Sequence, residues 1–161
     1  MAIAISTIGI QVKYAFEATA GTRPTAATAY TLIPQVKEIP EMNPSPDTLE
    51  TTSFDNREYK TYIAGLKDLG GTLAFTANYT QALVDLWQDP STGVMKLWED
   101  AKADGKAMYL CIDIPDITEA CYLSVEPSKL GLPAASVNSV MEATLNFTPV
   151  GEPTWAAKPT T

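Results

Sequence analysis

The chain has 161 residues, of which 45% are apolar and 19% charged, a composition that supports one globular domain and excludes a disordered or fibrous chain. Its formal net charge is −8 and its pI about 4.4, and the eleven Lys and Arg residues are scattered with no two adjacent, so the basic stripe of a nucleic-acid binder is missing. No apolar run reaches the roughly 18–20 residues that cross a bilayer, and the opening residues lack the basic and long apolar regions of a signal peptide, so the expectation is a protein made in the cytoplasm without membrane insertion.

In chain order, the dominant period is two, the period of strands. Ile8, Ile10, Val12, Tyr14 and Phe16 alternate with Gly9, Gln11, Lys13, Ala15 and Glu17, which predicts a first half-buried strand. An Ala/Thr-rich stretch follows at 19–30, and then a short strand over 30–42 that Pro34 and Pro40 make irregular or an edge.

Residues 42–67 open on the turn formers Asn43-Pro44-Ser45-Pro46-Asp47 and carry a charged tip, Asn56-Arg57-Glu58. The expectation here is a long loop with little regular structure, a kind of connection that is uncommon in compact domains and usually functional. Leu49, Phe54, Tyr59, Tyr62 and Ile63 lie in it. Such groups either fold back on the body as a satellite cluster or are buried by another chain.

Leu73, Phe75 and Tyr79 alternate through the next predicted strand. From Thr80 to Ala103 the period changes. Leu83, Leu86 and Trp87 form one apolar stripe, and Val94, Met95, Leu97, Trp98 and Ala101 form another, with Asp89-Pro90-Ser91 between them. This predicts a short helix, a break and a second helix, capped by Asn78 or Thr80 at the start and closed by Gly105. Further strands are expected at Met108–Ile114, at 120–127 and over Met141–Phe147. The proline-containing segment 151–161 reads as an extended tail beyond a single β domain of residues 1–150.

Cys111 and Cys121 are expected as free thiols. Cys111 alternates out of phase with Met108, Leu110 and Ile112, whereas Cys121 alternates in phase with Leu123 and Val125. If both apolar sets face one core, the cysteines sit on opposite faces and cannot pair.

Catalytic patterns are missing. There is no histidine, hence no imidazole base, triad or metal ligand of that type. No Walker loop, dinucleotide fingerprint or nucleophile elbow occurs. Gly70-Gly71 precedes a strand and not a helix, and Asp113 and Asp116 flank Pro115 as ordinary turn residues. The expectation is a non-enzyme without a cofactor or metal.

The stretch Pro46-Asp47-Thr48-Leu49-Glu50-Thr51-Thr52-Ser53-Phe54-Asp55, with Lys60-Thr61-Tyr62-Ile63-Ala64-Gly65-Leu66-Lys67-Asp68-Leu69-Gly70, resembles the major tail tube proteins of siphophages. In that family a Thr-containing acidic segment leads through Tyr-Ile-x-Gly-Leu-x-Asp-x-Gly into an alternating strand. The resemblance covers most of residues 5–150 and leaves the Ala/Thr-rich stretch and the C-terminus outside it. It implies a mainly β fold, an antiparallel barrel or sandwich with one flanking α-helical segment, shared with type VI secretion tube proteins. It also implies assembly of copies of the chain into hexameric rings that stack into a virion tail tube in the host cytoplasm. The implied partners are a tape-measure protein, tail terminator and tail-tip proteins, with DNA passing through unbound. On that footing Leu49, Phe54, Arg57, Tyr59, Tyr62 and Ile63 are the candidate interface residues, and strand edges are expected to pair with neighbouring subunits. Rival readings are a tail terminator, a secretion-tube-like protein, or a monomeric ligand-binding β-sandwich.

Overall fold

The computed structural model describes residues 4–161. Among these residues ten strands and two α-helices follow one another as β1 (Gln11–Phe16), β2 (Thr31–Leu32), β3 (Val36–Glu38), β4 (Ser45–Glu50), β5 (Tyr62–Asp68), β6 (Leu73–Asn78), α1 (Gln81–Gln88), α2 (Val94–Ala103), β7 (Met108–Asp113), β8 (Glu119–Pro127), β9 (Glu142–Pro149) and β10 (Thr154–Ala157). The main sheet is antiparallel in the order β2-β1-β7-β8-β9-β6-β3, and it curls into a half-barrel. β10 lies along β8, where it continues the line of β9 after a break at Val150–Pro153: Val125 of β8 faces Pro149 and Tyr122 faces Thr154.

The two ends of the sheet belong to one chain segment. β2 pairs with β1 and β3 with β6, and only Ile33, Pro34 and Gln35 separate them. That link holds the ends within about 14 Å of each other. The main sheet therefore ends in strands of two and three residues, which offer a neighbouring subunit little edge. The first strand starts later than the alternation suggests: Ile8 sits exposed in the turn before Gln11.

Inside the curl lies the principal core, built by the apolar set of each strand. Val12 and Tyr14 meet Leu110 and Ile112 of β7, then Leu123 and Val125 of β8, and Phe75, Leu145 and Phe147 on β6 and β9. The helices close it, with Leu83 and Trp87 from α1 and Val94 from α2 all fully buried. Thr80 caps α1, its hydroxyl accepting from the Leu83 amide at 3.2 Å. Gly105 follows α2 with φ +68, the left-handed conformation that ends helices.

Between the helices the Asp89 carboxylate accepts from the amides of Ser91 and Thr92 at 2.8 and 2.9 Å and from the Ser91 hydroxyl. These bonds hold its pKa down at about 2. The same tight turn leaves no room at Gly93, where a Cβ would lie 2.5 Å from the Asp89 carbonyl oxygen and 2.7 Å from its nitrogen. Both obstacles are backbone. Gly93→Ala is therefore expected to destabilise the fold by about 1–3 kcal/mol, measured by denaturant titration. An unchanged midpoint would show that the turn relaxes freely.

The opposite face of β1, β7 and β8 is also buried, which the alternation does not suggest. Ala15, Cys111, Ala120 and Tyr122 form a second cluster with Tyr30. Its cover is made jointly by residues 19–30 and the C-terminal segment. The Tyr30 hydroxyl donates to the Pro24 carbonyl at 2.7 Å, and Tyr122 donates to the Ala157 carbonyl at 2.7 Å. Arg23 lies 4.0 Å above the Tyr122 ring. The two segments join through Ala27 and Thr25, whose amide and carbonyl bond the carbonyl and amide of Thr160 at 2.8 and 3.0 Å. Glu17 is buried beside them, its carboxylate accepting from the Gly21 and Ala107 amides at 3.0 Å each. The tail is thus a docked strand and not merely an extended terminus. Cys111 belongs to this outer cluster and Cys121 to the inner core, so the two lie on opposite faces as their alternation predicts, and both are free thiols.

Burial raises the pKa of Tyr122 to about 12, and the neighbouring Cys111 adds to the rise. A raised pKa in the folded state means that the neutral phenol stabilises the fold fully below the unfolded value of 10.0, and that this stability is lost as pH climbs towards about 12. Tyr30 shifts in the same direction, mainly through burial. Unfolding followed by tyrosinate absorbance is expected to show constant stability up to about pH 10 and a steep loss above it. Tyr122→Phe should lose about 1 kcal/mol at neutral pH, from the Ala157 bond, and soften the alkaline loss. An identical alkaline profile in that variant would overturn the assignment.

Candidate assembly interface

β4 and β5 form a two-stranded antiparallel sheet separate from the main one. This replaces the expected irregular loop with a hairpin. Leu49 faces Ile63, Glu50 faces Tyr62 and Thr48 faces Ala64, while the register shifts between Pro46 and Thr48. Past the strands the Thr51 amide donates to the Thr61 carbonyl at 2.8 Å, and the Thr61 amide to the Thr52 hydroxyl at 3.0 Å. Gly65 permits the shift, since a Cβ there would meet the Asp47 carbonyl oxygen at 3.1 Å.

Directly opposed residues of a sheet share a face. One face of the hairpin therefore carries Leu49 and Ile63, and the other carries Tyr62, while Leu66 stands four residues beyond Tyr62 at the register shift. All four are exposed, Leu66 at 86%. At the tip Phe54 is completely exposed (105%) and Tyr59 largely so, with Arg57 exposed beside them. The hairpin brings all six sequence-predicted residues onto one projecting element. None of them folds back on the body, so the satellite-cluster alternative fails. The extra member is Leu66, which the Tyr-Ile-x-Gly-Leu pattern already contained.

The element is anchored only at its base. Met42 and Leu69, just outside the strands, pack on the core, and Lys67 reaches Glu152 at 3.3 Å. Lys60 and Glu50 approach to 3.8 Å across the strands. Ion pairs this exposed contribute at most about 1 kcal/mol. An isolated hairpin is marginal in water, and one with apolar side chains on both faces gains from burial on both.

A second exposed apolar segment escaped the sequence reading. Residues 128–141 join β8 to β9 without helix or strand and expose Leu132, Val137 and Val140. Its length and its three large apolar residues were the available signal. Among the described residues no group of three or more His, Cys, Asp or Glu side chains could hold a metal ion.

The architecture is a curled antiparallel sheet closed by two helices, with a projecting hairpin. Solved structures share it along almost the whole chain. A chain of the anti-feeding prophage baseplate, determined with 6-fold symmetry, superposes with a TM-score of 0.61 at 11% identity over 98% of each chain. A chain from the tail of an empty gene transfer agent particle of C6 symmetry gives 0.58 at 14%, over 96% of this chain and 100% of that one. A chain of the PVC sheath-tube complex of an extracellular contractile injection system gives 0.60 at 10%, over 96% and 92%. The shared property at such identities is the fold, and it is the fold of phage-like tail assemblies. No protein-family model and no curated protein matches the sequence.

Proposed function

We propose that the chain is a structural protein of a phage-type tail, and specifically the major tube subunit, which assembles into stacked hexameric rings around a channel for DNA. The observation that carries this reading is the hairpin, a projecting element with apolar groups on both faces and no cover from its own chain. The fold it shares with chains of six-fold tail and baseplate particles supports the ring order. The tape-measure protein inside the tube, and the terminator and tail-tip proteins at its ends, are the partners this role requires. The virion tail, put together in the host cytoplasm, is its place.

The charge fits a conduit. Six copies carry a formal −48, six times the −8 of one chain, and a ring of that sign repels phosphate. DNA then slides instead of sticking. The assembled protein is expected not to retain duplex DNA at any salt concentration, and tight, salt-sensitive binding would sink the conduit reading.

The direct test is electron microscopy of the purified protein across a concentration range, alone and with its tape-measure partner. Rings and tubes as wide as phage tails are expected. A chain that remains monomeric under all those conditions overturns the proposal. A second reading, a tube-terminating protein, is favoured by a likeness to the anti-feeding prophage tube-terminating cap, with a TM-score of 0.55 at 12% identity. Stacking separates the two, because a terminator caps a tube and a tube subunit polymerises.

A further inference from the structure

We propose that segment 128–141 is the receiving surface for the β4–β5 hairpin of another copy of this chain, so that assembly is head-to-tail through these two elements. The inference rests on the reading of the hairpin as an assembly element and adds its partner.

Three observations point to this pairing. The first is position. The hairpin base adjoins the C-terminal end of β9, where Pro44 and Lys67–Gly70 line a cleft with Pro149–Pro153. Segment 128–141 runs back along β9, from the Ser128 amide on the Asn146 carbonyl to Met141, which enters β9 at its N-terminal end. Eight residues of strand separate those ends, about 25 Å. Within one molecule neither the hairpin nor the segment, which leaves β9 at the level of Asn146 and runs away from the hairpin base, covers the other's exposed side chains. They can do so between copies, and a contact between unlike surfaces propagates into rings or stacks, whereas a self-complementary one stops at a dimer.

The second observation is surface chemistry. Leu132 and Val137 are 84% and 91% exposed. The segment lines an open groove of about 520 Å³ together with Thr76, Thr144 and Asn146. Phe54 and Tyr59 at the hairpin tip are large side chains that lack a pocket of their own.

The third is charge. Residues 45–68 contain five acids and three bases, a net −2, while 128–141 contain Lys129 and no acid, a net +1 in a chain of −8. The one carboxylate on the groove, Glu142, is already paired with Lys37. The hairpin thus meets the least acid-rich long connection of the molecule.

A complementation experiment tests this. One variant, Phe54→Asp with Tyr59→Asp, disables the hairpin tip. The other, Leu132→Asp with Val137→Asp, disables the receiving segment. All four positions are exposed, so both variants should keep the wild-type Tm, and Phe54→Ser with Tyr59→Ser, or Leu132→Ser with Val137→Ser, replaces a variant that does not. Under the conditions in which the wild-type chain assembles, each variant alone should need about a hundredfold or more higher concentration to do so. Mixed, they should form pairs that grow no further, because the second variant keeps an intact hairpin and the first an intact receiving segment. Light scattering and electron microscopy read this out. If the receiving-segment variant assembles like wild type, this proposal fails and the hairpin reading stands. If the hairpin variant assembles like wild type, both fail. If both variants are defective and the mixture forms no pairs, the two elements do not contact each other and the proposal fails.

Discussion

Replacing Trp87 by alanine is expected to destabilise the fold by about 3–5 kcal/mol, the loss typical of a large aromatic removed from a packed core. Trp87 has no exposed surface, and its ring meets Phe147 edge-on at 5.8 Å. Phe147 in turn meets Phe75 at 5.4 Å, so the three rings tie α1 to β9 and β6. The indole nitrogen also donates to the Ser128 carbonyl at 2.9 Å. That bond fixes the start of the segment 128–141, beside Gln88, whose side-chain amide donates to the Leu130 carbonyl at 3.0 Å. Removing the indole leaves both a cavity and a carbonyl without its donor. A loss of this size is a large share of the roughly 5–15 kcal/mol that holds a domain folded, and it should lower Tm by about 10–15 °C. Trp87→Phe separates the contributions, because it keeps most of the ring packing and loses the hydrogen bond. Thermal unfolding of the two variants checks this, and a drop below about 1 kcal/mol in Trp87→Ala would show that the helix layer is not integral to the core.

The strands around this core were legible because each lays one apolar set against a single interior. The alternations over Leu73–Tyr79, Met108–Ile114 and Met141–Phe147 correspond to β6, β7 and β9 to within two residues at each end. The helix pair and its Thr80 cap were equally readable, since the period changes from two to 3.6 at that point. The outer cluster was not. Ala15, Glu17, Cys111 and Ala120 occupy positions that read as the wet face, and what buries them comes from 19–30 and 154–160, segments without periodicity that meet only in three dimensions. The hairpin was hidden for a different reason. Neither of its faces is against the core, so β4 and β5 show no single buried set, and a strand signal that depends on one buried face disappears. The same exposure is what makes the hairpin informative about assembly. Its apolar content was visible in the residues, but its geometry was not.

Removing the hairpin tip should separate folding from assembly. Replacing Thr51–Thr61 with Asn-Gly would join Glu50 to Tyr62, which already face each other, through a two-residue turn suited to a hairpin. The deleted residues include Phe54, Arg57 and Tyr59, and none of them belongs to either buried cluster. Stability should therefore change by no more than about 0.5 kcal/mol, a shift in Tm of about 2 °C. Assembly should be lost. Stable protein interfaces bury about 800 Å² per partner, and Phe54, Tyr59 and Tyr62 together bring on the order of 500 Å² of aromatic surface. Taking away two of the three rings leaves Leu49, Tyr62, Ile63 and Leu66 on the shortened strands, a surface below that size. Particles counted by electron microscopy beside a thermal melt give both readouts on one preparation. Tubes of wild-type width from the shortened chain would place the decisive contact elsewhere. A chain that fails to fold would mean that the tip is part of the folding unit, which its exposure and its separate two-stranded sheet argue against. The asymmetry between the two expected readouts follows from the proposed role: the buried clusters lie within the curled sheet and its covers, and the proposed joining surface lies on a hairpin whose tip belongs to neither.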